Sequence, residues 1–364
     1  MWLENLHLLN FKNYEDVNLQ FPSRVNVIVG KNGSGKTNLL DSIYYLSFTK
    51  SAFSPDLSLL RHEESYMMVR GIFRISAETH IISSSVQPGT KKIFRIDSQD
   101  YQKISSHIGK FPVVLIAPDD VDLIKEGGEE RRRFFDSIIS QLDHQYLEEL
   151  MRYNHFLKQR NSLLKMASER GSIDWVAIES YDASIVKSGD YIFNARKTFL
   201  FEYFSKFLSY YKFLVDDREV CEIRYQSELL EQDFATGLIS SKRKDLVLQR
   251  TTFGIHRDDF VFTMSGRDIK RIGSQGQQKS FVIALKLTQY EILKKRNAFK
   301  PILLLDDIFD KLDDNRIGRL LELIKGDFGQ LFITDARPDR TNHLLKEVSV
   351  ESGIFIIENG KITT

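Results

Sequence analysis

Cysteine, long apolar runs and an excess of one charge are all scarce in this chain. Its 364 residues hold one cysteine, Cys221. A lone thiol closes no internal disulfide, which suits a cytoplasmic protein in which Cys221 is a small apolar residue. No stretch reaches the roughly 20 apolar residues that a membrane span requires. The start, Met1-Trp2-Leu3-Glu4, has no basic segment followed by an apolar run, so no secretory signal is read there. One-sided charge is missing too. The net charge is +1, so bulk electrostatics argue neither for nor against nucleic acid. Any such contact falls to local patches: Arg131-Arg132-Arg133, Lys242-Arg243-Lys244 or Lys294-Lys295-Arg296. Each run suits a solvated helix face or loop equally. Proline is absent from residues 129–213, where Gly171 and Gly189 are the only glycines.

The remaining composition, 42% apolar and 28% charged, is that of an ordinary globular protein. The length exceeds one compact core and implies two domains, or one with a large insertion. Strands are expected through Leu3, Leu6, Leu8 and Leu9 and, by a period-2 pattern, through Val17, Leu19 and Phe21. Val25-Asn26-Val27-Ile28-Val29 is a short apolar strand ending at Gly30. Leu39, Leu40, Ile43, Tyr44 and Leu46 then fall at helical spacing. Strands return at residues 67–69, 71–75 and 113–116, with Gln87-Pro88-Gly89-Thr90 as a hairpin turn. The stretch 129–213, with its stripe of Leu147, Leu150, Tyr153, Leu157 and Leu164, predicts two long antiparallel helices broken near Gly171-Ser172. Further strands are expected at residues 220–225, after Thr252, and at 260–262. A helix should follow Gly276. The continuous apolar run to Leu305 reads as a buried parallel strand. A helix from near Asn315 and a strand at residues 331–334 complete the pattern.

Three segments carry chemistry. Gly30-Lys31-Asn32-Gly33-Ser34-Gly35-Lys36-Thr37 is a full P-loop (Walker A) pattern between a predicted strand and helix. Its glycines let backbone N–H groups turn toward phosphate oxygens, and the helix start adds positive potential. Lys36 supplies a point charge to the β- and γ-phosphates of ATP, and Thr37 a hydroxyl for Mg²⁺. The second segment is the Walker B-type pair Asp306-Asp307 at a strand end. Asp306 suits Mg²⁺, and Asp307 suits the attacking water as proton acceptor or orienting group. These strands, before Gly30 and before Asp306, are expected as neighbours in one sheet. The third segment, Ser274-Gln275-Gly276-Gln277-Gln278, resembles the S-G-G-Q signature of ABC-type ATPases, with Gln275 replacing the first glycine. In that superfamily the signature meets the ATP of the opposite subunit. Asp313 stands where ABC-type proteins have the D-loop, and Thr334 where transporters usually carry a switch histidine.

With these motifs, Asn10-Phe11-Lys12-Asn13-Tyr14, Glu130-Arg131-Arg132-Arg133-Phe134-Phe135-Asp136, Leu157-Lys158-Gln159-Arg160-Asn161 and Gly254-Ile255-His256-Arg257-Asp258-Asp259 make the whole chain similar to the RecF family of SMC-related bacterial repair ATPases. The resemblance implies an α/β fold: an ABC/SMC-like P-loop ATPase head of mixed sheets and helices, with an inserted helical arm. The expected division is residues 1–126 for the first part of the head, 127–236 for the arm, and 237–364 for the part with the signature and Walker B motifs. It implies a homodimer formed on ATP and binding of single- and double-stranded DNA at gaps and junctions. It implies weak, DNA-stimulated hydrolysis, and work with RecO and RecR in loading RecA, in SOS induction and in replication restart. By analogy with SMC-like heads, Lys12 and Asn13 lie near the base or ribose. Asp307, where many ABC ATPases carry Glu, is one methylene shorter and implies slow turnover. His256 with Asp258 and Asp259 lacks convincing metal-ligand spacing and reads as a satisfied structural or nucleotide-side network. Two other readings remain: an ATP-gated clamp without catalysis, and a transporter subunit, against which the gap of over 200 residues between P-loop and signature argues.

Overall fold

The computed structural model describes residues 1–170, 172–215, 219–308, 314–336, 352–358 and 360–363. Strands β1 (Trp2–Phe11) and β2 (Tyr14–Gln20) form an antiparallel hairpin, and β3 (Val25–Val29) leads through the P-loop to α1 (Lys36–Phe48). A meander follows: β4 (Met67–Ile75), β5 (Glu78–Val86), β6 (Ile93–Ile96) and the short β7 (Gln99–Asp100). Beyond β8 (Val113–Ile116) come α2 (Asp122–Lys125), α3 (Gly128–Leu142), α4 (His144–Arg170), α5 (Trp175–Glu179) and α6 (Asp182–Leu214). Next are β9 (Cys221–Gln226), α7 (Phe234–Leu248), β10 (Asp259–Met264), β11 (Arg267–Asp268), α8 (Ile269–Ile272) and α9 (Gln275–Arg296). The last described elements are β12 (Ile302–Leu305), α10 (Asp314–Lys325), β13 (Leu331–Asp335), β14 (Ser352–Glu358) and β15 (Lys361–Thr363).

The chain divides into two compact units. The first comprises Met1–Asp120, Tyr210–Val215 and Lys279–Thr364; the second comprises Val121–Ser209 and Asp216–Gln278. In the first, one sheet has the order β2-β1-β4-β5-β6-β7 and the other β15-β14-β3-β13-β12-β8. Helix α1 contributes Leu39, Leu40, Ile43, Tyr45 and Leu46 to one core with residues of both sheets, such as Leu3, Phe73, Ile302 and Phe332. That explains why α1 is buried on nearly every side instead of showing one apolar stripe. Gln330 links β1 to the second sheet. Its Oε1 accepts from Leu3 N at 2.7 Å, and its Nε2 donates to Leu3 O at 2.8 Å and Pro22 O at 2.9 Å.

One expectation needs correction. The P-loop strand β3 and the Asp306 strand β12 share a sheet but are not neighbours. β13 lies between them, pairing in parallel with both: Asp335 opposite Val29, and Ile333 opposite Leu305. Parallel strands joined by long crossovers need not be spatial neighbours in chain order, and a later strand can enter between them.

In the second unit α6 packs antiparallel to both α3 and α4. Their cross-contacts run in opposite directions: Asp182 with Arg160, Ser188 with Glu149, Tyr191 with Asp143, Arg196 with Asp136. The sequence division ended the arm at residue 236, whereas this unit runs to Gln278. β9 finds its backbone partner only when β10 returns, with Cys221 opposite Met264 and Gln226 opposite Asp259. Phe260 of β10 then stacks on Phe135 of α3 at 4.0 Å. The strand expected after Thr252 is instead a single 3₁₀ turn, Ile255–Arg257, behind Gly254 at φ +128°. That φ suits glycine and breaks an extended run.

Candidate nucleotide site

The glycine-rich segment bends sharply between β3 and α1. Gly35, at φ +116°, is the N-cap of α1. A Cβ there would lie 2.4 Å from Asn13 Nδ2 and would displace that amide, in a backbone conformation that already favours glycine. Helix α1 has no side-chain cap and no acidic residue in its first turn. Among the described residues, the N–H groups of Gly35, Lys36 and Thr37 have no hydrogen-bond partner. Ser34 Oγ is buried and likewise unpartnered. Free donors at a helix N-terminus form an anion site. The carbonyls are held from the other side: Asn13 Nδ2 donates to Ser34 O at 3.1 Å, and Tyr14 OH to Gly35 O at 2.9 Å. Asn38 Nδ2 donates to Asn13 Oδ1 at 2.7 Å, fixing that amide in turn. Lys36 is 4% exposed and donates to Gly30 O at 2.9 Å and Lys31 O at 3.3 Å.

Asp306 follows β12 and faces this loop. Thr37 Oγ1 donates to its Oδ2 at 2.8 Å, and Thr334 Oγ1 to its Oδ1 at 2.7 Å. Burial raises the Asp306 pKa above the ordinary carboxylate value, against the pull of these two hydroxyls and Lys36. The site thus gathers hydroxyl and carboxylate oxygens, hard donors of the kind Mg²⁺ takes. Asp307 has φ +43°, and its N–H donates to Thr334 Oγ1 at 2.9 Å. Asp307 lines a cavity of about 260 Å³ with Asn32, Gly33, Gly35, Lys36, Thr37 and Asn38. Whole small-molecule pockets run roughly 300–1,000 Å³. The smaller space suits a polyphosphate, with the rest of a ligand on open surface.

Other expected site residues are placed differently. Lys12 is paired inside the fold with fully buried Asp41, Nζ to Oδ2 at 2.7 Å. Ser51 Oγ and Ala52 N also donate to Asp41, so this carboxylate ties Lys12 to the segment after α1. The signature residues belong to the second unit. There Ser274 and Gln277 form a reciprocal cap on α9. Gln277 N donates to Ser274 Oγ at 3.2 Å, and Ser274 N to Gln277 Oε1 at 2.7 Å. Gln277 Nε2 donates to Glu219 at 2.6 Å, while Ser274 and Gln275 are exposed and Gly276 half-buried. Asp313 lies outside the described residues.

The segments 130–136 and 254–259, both part of the family resemblance, lock together inside the second unit. Arg131 grips Asp259 with two 2.8 Å hydrogen bonds, and Arg132 donates to Asp258 O at 2.5 Å. Buried Arg196 reaches Asp136 at 2.9 Å, Asp258 at 3.1 Å and Ile255 O at 2.8 Å. His256 Nε2 donates to Thr251 O at 3.0 Å, so its Nδ1 accepts from Tyr153 OH at 2.7 Å. Burial pushes its pKa down to about 4. No group of three metal-ligating side chains occurs among the described residues. Each basic run also has a paired member: Arg133 with Glu129 and Glu130, Lys242 with Glu179, Lys294 with Asp327. Sequence reasoning missed Thr334 as a bonding partner of the acidic pair; its only signal was a hydroxyl where a histidine was expected.

The sequence profile of the RecF/RecN/SMC N-terminal domain family matches residues 2–363. A DNA replication and repair protein RecF from Cytophaga hutchinsonii is 47% identical over 364 residues, covering 100% of this chain and 96% of the relative. One from Flavobacterium johnsoniae is 42% identical over 98% of this chain and 99% of its own. A solved structure of the recombination mediator protein RecF with ATP, of the RecFOR pathway, superposes with TM-score 0.89 at 31% identity, covering 100% of this chain and 97% of that one. An Smc head domain from Pyrococcus furiosus shares the fold, with TM-score 0.56 at 19% identity over 100% of this chain and 96% of its own. Among the described residues no helix is long and apolar enough to cross a membrane. An SMC-like head fold, a P-loop facing two acidic residues, and full-length similarity to RecF proteins agree: the chain belongs to the RecF/RecN/SMC N-terminal domain family, in its RecF group of ATP-binding proteins.

Proposed function

We propose that this chain is an ATP-dependent DNA-binding protein of recombinational repair that closes into a homodimer around ATP and hydrolyses it slowly. The observation that carries the reading is the cluster at the cavity mouth: unpartnered helix N–H groups, Lys36, and Asp306 bonded to Thr37. The loop from Gly30 to Thr37 wraps the β- and γ-phosphates. Lys36 exchanges its present neutral carbonyl partners for charged phosphate oxygens, the stronger kind of hydrogen bond. Thr37 and Asp306 hold Mg²⁺, which when bound neutralises phosphate charge. Asp307 takes a proton from the attacking water. The water oxygen bonds to the γ-phosphorus as the bond to the β–γ bridging oxygen breaks, giving ADP and phosphate. Ser274, Gln275, Gly276 and Gln277 of a second copy complete the site. Asn13 serves by holding the Ser34 carbonyl of the P-loop, and Lys12 reaches a nucleotide only by leaving Asp41.

The partner in this reading is DNA, single- and double-stranded, at gaps and junctions, in keeping with similarity to DNA replication and repair proteins. RecR and RecO follow from the RecFOR pathway of the similar solved structure. RecA loading, SOS induction and replication restart are the cellular outcomes of that assembly, in the cytoplasm. A clamp without catalysis would not need Asp307 on the cavity wall, so its place there favours turnover. Sedimentation with and without ATP, Mg²⁺ and gapped duplex DNA, together with phosphate release, tests the reading. The expected result is a monomer that dimerises on ATP, binds gapped DNA and releases phosphate slowly, faster with DNA. A monomer unchanged by ATP refutes it. DNA binding should weaken steeply with salt, because phosphate contacts release counterions.

A further inference from the structure

Thr334 sits near the end of β13, the strand inserted between β3 and β12, and is fully buried. Its hydroxyl serves two neighbours at once. It donates to Asp306 Oδ1 at 2.7 Å and accepts from the N–H of Asp307 at 2.9 Å. Thr37 holds the other oxygen of Asp306 at 2.8 Å. Both carboxylate oxygens are therefore oriented by hydroxyls on separate elements. Asp307 adopts φ +43°, a conformation that side-chain-bearing residues rarely take, and the bond to Thr334 anchors that turn. One hydroxyl thus sets the plane of Asp306 and the backbone turn that brings Asp307 to the cavity.

We infer that Thr334 is a positioning residue of the nucleotide site, aligning Asp306 for Mg²⁺ and Asp307 for the attacking water through a single shared hydroxyl. The inference rests on the ATP-site reading above. It differs from a purely structural role in one measurable respect. A buried threonine that only fills space loses stability on truncation, but its loss does not single out the Mg²⁺ response.

The test compares Thr334→Val, which keeps the shape without the hydroxyl, with Thr334→Ser, which keeps the hydroxyl. Thr334→Ala serves as a second hydroxyl-free variant should the valine protein fail to fold. ATP-analogue binding is titrated with Mg²⁺ and without it, and kcat and KM are measured beside the melting temperature of each protein. The expected result for valine or alanine is a Mg²⁺ midpoint raised about 10–100-fold, the range for loss of a group that orients a metal ligand. Metal-free binding should persist, kcat should fall more than KM changes, and serine should restore most of the loss. A hydroxyl-free variant with the wild-type Mg²⁺ midpoint and kcat overturns the inference, and so does a folded serine variant as impaired as valine. Wild-type binding of the ATP analogue that ignores Mg²⁺ overturns the site reading itself, and the inference with it.

Discussion

Lowering the pH from 7 to 5 should destabilise the first unit through one histidine. His107 is fully buried, and its ring lies 4.7 Å from that of Phe94 and stacks on Phe111 at 5.4 Å. Nε2 donates to Leu46 O at 2.7 Å, a carbonyl near the C-terminal end of α1, so Nδ1 accepts from Tyr101 OH at 3.0 Å. A proton on Nδ1 would remove that acceptor and bury a charge. Burial accordingly pushes the His107 pKa down to about 4, from an ordinary 6.5. The unfolded chain binds the proton more readily than the native one. The stabilisation is therefore complete above pH 6.5 and is lost as pH falls through 4. Linkage between these two values gives a loss of about 2 kcal/mol from pH 7 to pH 5. Urea unfolding of the whole protein at the two pH values measures it, with His107→Gln as the comparison. The glutamine protein should be less stable at pH 7 yet show a smaller fall to pH 5. An equal fall in both proteins would refute this account. His256, also lowered to about 4, predicts a similar effect in the second unit.

Three other outcomes are expected. Asp307→Asn should bind ATP and remain as a dimer on DNA with phosphate release abolished; rapid dissociation in a dilution assay would count against Asp307 as the water's partner. Ser274→Arg should block the ATP-dependent dimer in sedimentation, whereas Ser274→Ala, which loses the α9 cap at about 1 kcal/mol, should remain folded. A dimer insensitive to the arginine would remove Ser274 from the interface. Arg196→Leu leaves Asp136 and Asp258 without their buried cation and should cost about 3–5 kcal/mol in denaturant titration. A loss below about 1 kcal/mol would mean that the carboxylates find other partners or take up protons.

The P-loop was legible because its chemistry is local. Strand, glycines, lysine and helix follow one another, and each residue works beside its neighbours in sequence. The acidic pair was legible for a similar reason, as four apolar residues running into two carboxylates. Strand order was not legible, since the apolar pattern of β13 records that it is buried but not which strands it separates. The lock between residues 130–136 and 254–259 was hidden likewise. Arg131 and Asp259 stand 128 positions apart, and a run of arginines looks the same whether it meets water, phosphate or buried carboxylates. Lys12 looked available for a ligand because nothing in the sequence ties it to Asp41 across two strands and the P-loop. The reciprocal cap at Ser274 and Gln277 was encoded locally as Ser-x-x-Gln, but likeness to a signature motif drew attention away from its ordinary helix-capping sense.

The left-handed turn at Asp307 gives a second reason for aspartate there. Among residues with side chains, Asp and Asn enter this backbone region several-fold more readily than most. Glutamate would gain reach toward the phosphate but occupy a conformation that suits it less well. Exchange for the longer acid would therefore carry a cost in the backbone as well as a gain in reach, though Glu63 at φ +67° shows that glutamate can take such a turn in this chain. If the proposed hydrolysis is slow, the turn at Asp307 is one part of the local geometry that favours keeping the shorter acid.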